Sequence, residues 1–156
     1  MYGYSLTGFS KIHLSSALKV LPTPEACNEM KKFSDAVYLH QVVERDGTGA
    51  RNIYRDLPDA LKTRSATTPM ESSKEWRIHF HVPLHAPAAP PFENTNDHLL
   101  GILDQLQMNP KICTHLEMET YTWEVLPPEL KTQSVVDQLA QEYHWTLARL
   151  KERRLV

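Results

Sequence analysis

The sequence has few of the residues that mark several familiar protein classes. Only two of its 156 residues are cysteines, Cys27 and Cys113, and they lie far apart, without the CxxC spacing of a zinc or redox motif. Glycine occurs five times, and no glycine-rich phosphate loop follows the first predicted strand. We therefore expect two reduced thiols that contribute to packing, and we do not expect a phosphate loop of the flavodoxin type.

A large excess of one charge and long apolar runs are absent as well. The net charge is −2, and 41% hydrophobic with 23% charged residues is typical of a globular domain rather than of a nucleic-acid binder. No apolar run approaches the roughly 20 residues of a membrane span. Residues 1–6 lack the basic and apolar regions of a signal peptide. We expect one cytoplasmic domain over residues 1–156, with no nucleic-acid partner and no membrane span.

What the sequence does contain is an alternation of strand-like and helix-like segments. Apolar periodicity predicts strands near residues 10–15, 36–43, 76–84 and 112–120, and helices near 24–33, from 56, and at 94–107 and 129–153. We expect a mobile loop at 64–74 and a stiff proline-rich connection at 86–92. The expected buried stripe of the last helix consists of Val135, Val136, Leu139, Tyr143, Leu147 and Leu150. This alternation predicts an α/β protein with a parallel sheet and crossover helices.

Two of the predicted strands carry polar side chains on one face. Side chains two residues apart on a strand share a face, so His79 and His81 lie together, and so do Glu117 and Glu119. A single histidine in such a position is more often a hydrogen-bonded core residue than a ligand, whereas a pair on one face is about as typical of the one as of the other. Carboxylates on a covered parallel strand are costly unless they are paired or bound to a metal. The pattern therefore indicates a polar site at the strand ends.

Four long motifs resemble the EboE family of metabolite-traffic proteins, which belongs to the xylose-isomerase-like TIM barrels. The motifs are KIHLSSAL at 11–18, YLHQV at 38–42, RIHFHVPL at 77–84 and HLEMETYTWEVLP at 115–127. The resemblance extends from about Phe9 to Leu147. It implies a (βα)8 TIM-barrel fold, of which this chain would be the C-terminal half with about four βα units. Half a barrel would leave open sheet edges that permit self-association. A small open sheet is the alternative at this length.

In a barrel the site lies at the C-terminal ends of the strands, which assigns roles to particular residues. His81 and Glu119 are then the expected catalytic residues. The expected ligands of a divalent Zn, Mn or Mg ion are His79, His81, Glu117 and Glu119. Substrate contacts are expected from Ser15, His40, Tyr121 and Trp123. His13 and His115 lie near strand starts and are expected to be structural or exposed.

Three functions remain open from the sequence. The resemblance implies a protein of small-metabolite traffic or processing. A metal-dependent sugar or sugar-phosphate isomerase or epimerase is an alternative, because histidine and glutamate at strand ends suit acid–base chemistry. A metabolite-binding module without catalysis, or a truncated fragment, is the third. In each case the expected partner is a small-molecule metabolite.

Overall fold

The computed structural model describes residues 8–34, 38–67, 73–87, 89–119 and 134–156. Within these ranges the strands are β1 (Ile12–Leu14), β2 (Ser16–Val20), β3 (Val42–Asp46), β4 (Arg51–Tyr54), β5 (Ser73–Val82), β6 (Phe92–Asn94) and β7 (Leu116–Met118). The α-helices are α1 (Pro24–Met30), α2 (Leu57–Thr67), α3 (Asn96–Met108) and α4 (Val135–Glu152). Two short 3-10 helices, Lys31–Phe33 and Pro110–Ile112, follow α1 and α3.

The helix ends follow the local capping rules. Thr23 precedes α1, its hydroxyl accepts a hydrogen bond from the Ala26 backbone N–H at 3.1 Å, and Pro24 occupies the first turn, where no N–H is needed. Asn109 terminates α3 and accepts a bond from the Lys111 backbone N–H before the next 3-10 turn. The predicted helices at 24–33 and 94–107 are therefore confirmed to within a few residues.

The main sheet has five strands in the order β4-β3-β5-β2-β6, and every neighbouring pair is antiparallel. One face packs against α1 and α2. The core on that face contains Leu18, Val20, Ala26, Met30, Phe33, Val42, Leu57, Ala60, Trp76, Ile78 and Phe80. The other face of β5 carries Glu75, Arg77, His79 and His81, of which His79 is exposed and the others are half-buried. An antiparallel sheet with one buried and one polar face explains this alternation.

A second sheet consists of β1 and β7, which pair in parallel. It packs against α3 and α4 in a separate core that includes Leu14, Leu84, Leu99, Leu103, Leu106 and Leu150. Only Ser15 separates β1 from β2, so one extended segment of chain belongs to both sheets. This continuity brings the β1–β7 sheet next to the end of β5, because Ala17 of β2 lies opposite His81.

The mixed α/β class is confirmed, but the predicted parallel sheet is wrong for the main sheet, and the described strands form no closed barrel. The reason is that β4 follows β3, and β6 follows β5, without a helix between them in the described residues. A turn at Asp46–Gly49 returns the chain directly from β3 to β4, and such short connections join antiparallel strands. The strand predicted at 36–43 lies later, at Val42–Asp46, and residues 35–37 are outside the described ranges.

Two predicted irregular segments are partly regular. The expected loop at 64–74 is wrong at both ends, because α2 continues to Thr67 and β5 starts at Ser73, with 68–72 outside the described residues. The described residues of the stretch at 86–92, which leave out residue 88, form an irregular connection up to β6, which starts at Phe92. The strand predicted at 112–120 is limited to Leu116–Met118, since a 3-10 turn occupies Pro110–Ile112.

The predicted buried stripe of α4 is confirmed at Leu150 but wrong for most of its length. Val136 and Tyr143 are 70% and 51% exposed, and Leu147 is exposed too, whereas the buried residues are Glu142, Thr146 and Leu150. The two buried polar residues, Glu142 and Thr146, each contact a specific partner. Glu142 accepts a bond from the Leu84 backbone N–H, and the Thr146 hydroxyl lies 4.0 Å from the Met118 sulfur. No helix in the described ranges is long and apolar enough to cross a membrane.

Candidate functional site

His13 lies between two carboxylates where β1 meets β7. The parallel register places His13 opposite Glu117, and the Glu119 backbone N–H donates to the Leu14 carbonyl at 3.2 Å. The His13 Nδ1 atom is 3.1 Å from the Glu119 Oε2 atom, and its Nε2 atom is 3.3 Å from the Glu117 Oε2 atom. A protonated imidazole has one N–H for each of these carboxylates. The ring therefore joins the two glutamates into one unit.

Glu117 is further held by residues at the edge of this sheet. The Lys11 ammonium donates to its Oε2 atom at 2.8 Å, and the His115 Nε2 atom lies 3.1 Å from its Oε1 atom. These two hydrogen bonds, the one from Lys11 first, lower the pKa of the Glu117 carboxyl. Glu117 is thus a carboxylate with its oxygens already occupied by neighbouring side chains.

His79 and His81 form a close pair on β5. Their Nε2 atoms are 3.0 Å apart, and their ring centroids are 5.0 Å apart. A hydrogen bond between two ring nitrogens requires one N–H donor and one bare acceptor, so the pair contains at least one neutral imidazole. Alternation along β5 turns both rings to the face opposite Phe80.

The electrostatics of His81 connect this pair to the glutamates. Burial lowers the pKa of His81 most, the neighbouring His79 lowers it further, and the carboxylate of Glu119 acts in the opposite direction. Glu119 is therefore near enough for its charge to act on the His81 ring. We refer to His13, His79, His81, Glu117 and Glu119 as the histidine–glutamate cluster.

The fit of this cluster to a divalent metal is partial. When two imidazoles bind one zinc ion, each Zn–N bond is about 2.0–2.1 Å long. An N–Zn–N angle between about 90° and the tetrahedral value then places the two nitrogen atoms roughly 2.9–3.4 Å apart. The 3.0 Å separation in the His79–His81 pair falls in that range. Among the residues that the structure describes, no group of three or more histidine, cysteine or acidic side chains is arranged to hold a metal ion. The spacing of the pair thus suits two ligands of one ion, but the hydrogen bond between the two nitrogens would have to break for a metal to bind.

The remaining predicted site residues lie in different places. Ser15 is half-buried at the junction of β1 and β2. His40 is buried, and its ring packs 5.3 Å from the ring of Phe80, in the core on the opposite side of β5 from the cluster. Tyr121 and Trp123 lie outside the described residues. The structure thus pairs His79 with His81 and joins Glu117 to Glu119 through His13, whereas His40 lies on the opposite side of β5.

His13 is the member of the cluster that sequence reasoning missed. It was expected to be structural or exposed because it lies near a strand start. It is indeed exposed, but it also bridges the two glutamates. The available signal was its alternation with Ile12 and Leu14, which places it on the polar face of β1.

The chain was compared with protein-family models, with curated proteins and with solved structures, and none of the three comparisons found a match.

Proposed function

We propose that the histidine–glutamate cluster is the site at which this protein binds and processes a small polar metabolite. The observation that carries the proposal is the 3.0 Å approach of the His79 and His81 Nε2 atoms beside Glu119. Imidazole and carboxylate groups concentrated where two sheets meet are typical of acid–base or metal sites. The resemblance of the same segments to EboE proteins supports a role in metabolite traffic or processing.

The proposal includes a divalent ion held by His79 and His81, with Glu119 as the third ligand. Glu119 is the better candidate, since Glu117 is already bonded to Lys11, His13 and His115. His13 would then bond to a ligand carboxylate, an arrangement that orients metal ligands in many proteins. A bound divalent ion would supply polarisation of a carbonyl or hydroxyl oxygen of the metabolite.

The chain's own residues have separate tasks in this proposal. The lowered pKa of His81 keeps its ring neutral near pH 7, which is the form that ligates a metal or accepts a proton. One oxygen of Glu119 would bind the metal, and the other, which lies 3.1 Å from His13 Nδ1, would exchange a proton with the metabolite. These are the requirements of an isomerase or epimerase, in which one proton is removed from carbon and returned.

Binding without catalysis is the second candidate. The side chains of His13 and Glu117 are 43% and 38% exposed, so water reaches much of the cluster. Catalysis by charged groups usually benefits from exclusion of water. An open cluster therefore favours a binding role more than an enclosed one would.

Titration calorimetry with zinc tests the proposal. We expect the unmodified protein to bind one Zn²⁺ with an affinity that His81→Ala and Glu119→Gln each lower by at least about tenfold. His98→Ala, which removes an exposed histidine on α3, is the matched control and should leave the affinity unchanged. Equal affinities in all four proteins would overturn the metal assignment.

Isotope exchange separates catalysis from binding. The zinc-loaded protein is incubated in D2O with a panel of aldoses, ketoses and their phosphates, and deuterium at carbon is measured by mass spectrometry. Deuterium incorporation that disappears in Glu119→Gln supports an isomerase or epimerase. Saturable binding of a panel member without incorporation supports the binding module.

A further inference from the structure

We propose that Arg45, Arg51 and Arg77 form a subsite for a phosphate group on the polar face of the main sheet. The metabolite is accordingly a phosphate monoester. This inference rests on the proposed function, since it names the substrate class of the same site.

The first observation is that like charges lie directly opposite each other in the sheet. The β3–β4 register pairs Arg45 with Arg51, and the β2–β5 register pairs Lys19 with Arg77. Directly opposed residues on one face of an antiparallel pair have Cβ atoms about 4.5–5.5 Å apart, and like charges there are destabilising. Lys19 is compensated by Glu93 at 3.0 Å and Arg77 by Glu75 at 2.7 Å, so the remaining repulsion lies between Arg45 and Arg51.

The carboxylates on this face do not balance the arginines. Glu75 accepts from the Arg77 Nε atom at 2.7 Å and also pairs with Arg45 at 3.4 Å. In the described part of the chain, Arg51 makes no ion pair within 4.0 Å of a carboxylate. Three guanidinium groups therefore share one carboxylate, which leaves a net charge of +2. A phosphate monoester carries about −1.5 to −2 at neutral pH and accepts bidentate bonds from arginine.

The same residues enclose a depression of suitable size. It has a volume of about 390 Å³ and is lined by Val43, Arg45, Gly49, Arg51, Glu75 and Arg77. Ligand sites typically have volumes of about 300–1,000 Å³. Gly49 has a φ of +88°, and no other atom lies within 4 Å of the position a Cβ would occupy, so the turn leaves this side of the depression open.

The depression and the histidine pair of the cluster lie on one continuous face. Arg77, His79 and His81 follow each other at every second position of β5, which places Arg77 about 7 Å from His79 and about 13 Å from His81 along the strand. A small phosphorylated metabolite spans such a distance. Its phosphate would lie among the arginines while its opposite end reaches the histidine pair.

Calorimetric titration with inorganic phosphate tests this subsite, with acetate as a second probe. We expect phosphate to bind the unmodified protein at least tenfold more tightly than acetate. Arg51→Gln should lower the phosphate affinity by at least tenfold, whereas Arg154→Gln removes an arginine that does not line the depression and should leave it unchanged. Equal weakening in both variants would overturn the subsite, because it would show only a general effect of net charge. Equal binding of acetate and phosphate would overturn the phosphate assignment.

Thermal melting in phosphate-free buffer gives an independent readout. Arg51→Gln should melt at the same or a slightly higher temperature than the unmodified protein, since it relieves the repulsion with Arg45. A clearly lower melting temperature would show that Arg51 is structural and would contradict the inference. His81→Ala should bind phosphate normally and Arg51→Gln should bind zinc normally, so failure of the subsite and failure of the metal proposal are distinguishable.

Discussion

The Nε2 atom of His79 lies 3.0 Å from the Nε2 atom of His81, on the face of β5 that points away from the main core. The acidic neighbour of this pair, Glu119, comes from the other sheet. Glu119 follows β7, and β7 pairs with β1, which continues through Ser15 into the strand next to β5. Two polar faces that are far apart in sequence thus become one cluster at the junction of the two sheets.

The pH dependence of stability should report the environment of His81. Burial and His79 lower the pKa of His81 below its ordinary value near 6.5, so the unfolded state binds the proton more tightly than the folded state. Stability from this residue is complete above about pH 6.5 and is lost as the pH falls through the lower folded-state pKa. Urea unfolding at pH 7.5, 6.5 and 5.5 should therefore show a smaller decline in His81→Gln than in the unmodified protein. The same decline in both proteins would contradict the prediction.

Replacement of Glu142 should stabilise the protein at neutral pH. Burial raises the pKa of Glu142, although the hydrogen bond from the Leu84 backbone N–H partly opposes this effect. A raised folded-state pKa means that stability is greatest below the unfolded pKa near 4.5 and declines as the pH rises through the folded-state pKa. Glu142→Gln keeps an acceptor for Leu84 and removes the buried charge. We expect its melting temperature at pH 7 to exceed that of the unmodified protein by a few degrees.

The pH profile of Glu142→Gln contains its own control. The advantage of the variant should shrink at pH 4, where the glutamate is mostly protonated in both states. Glu152→Gln changes an exposed glutamate near the end of the same helix, and its melting temperature should stay within about 2 °C of the unmodified protein. A destabilised Glu142→Gln at pH 7 would show that the charged form is required for packing of α4.

Tyr54 should become a source of instability at high pH. Burial, followed by the hydrogen bond that its hydroxyl donates to Glu44 at 2.8 Å, raises the pKa of Tyr54 to about 12. Since the ordinary value is 10.0, stability contributed by this hydroxyl is present below pH 10 and is lost as the pH rises to about 12. Unfolding of Tyr54→Phe should show a flatter dependence between pH 10 and 12. Parallel curves for the two proteins would contradict this.

Phe80 should be a major support of the main core. Its ring lies 4.9 Å from that of Phe33 and 5.3 Å from that of His40, and it is 1% exposed. Phe80→Ala should cost about 3–5 kcal/mol of unfolding free energy, because it leaves a cavity in a packed interior. The control is Phe9→Ala, which removes a ring that is 67% exposed and should change stability by less than about 0.5 kcal/mol. Similar losses in the two variants in urea unfolding would contradict this core assignment.

Sequence reasoning was most successful where the signal is local. Alternation along a strand places His79 with His81, and Glu117 with Glu119, whatever the strand's partners are. The caps at Thr23 and Asn109 are local too, and both helices were predicted to within a few residues. These features depend on backbone geometry over a few neighbouring residues.

Features that depend on distant partners were predicted poorly. The β1–β7 pairing that brings His13 to Glu117 joins residues more than 100 positions apart, and nothing local specifies it. β4 was missed because it is a short strand with only Ile53 as a strongly apolar residue, and that side chain is 75% exposed. In α4, periodicity favoured the apolar stripe, whereas the buried face includes Glu142 because the Leu84 N–H provides a partner.

The nitrogen resonances of the histidine rings test the central claim most directly. Long-range ¹H–¹⁵N NMR spectra of the labelled protein are recorded at pH 7 as Zn²⁺ is added to one equivalent. The account predicts that the Nε2 resonances of His79 and His81 shift together and saturate at one equivalent, whereas those of His98 and His144, which are exposed on α3 and α4, do not move. Saturation with no change at His79 and His81, or shifts confined to the exposed histidines, would contradict it.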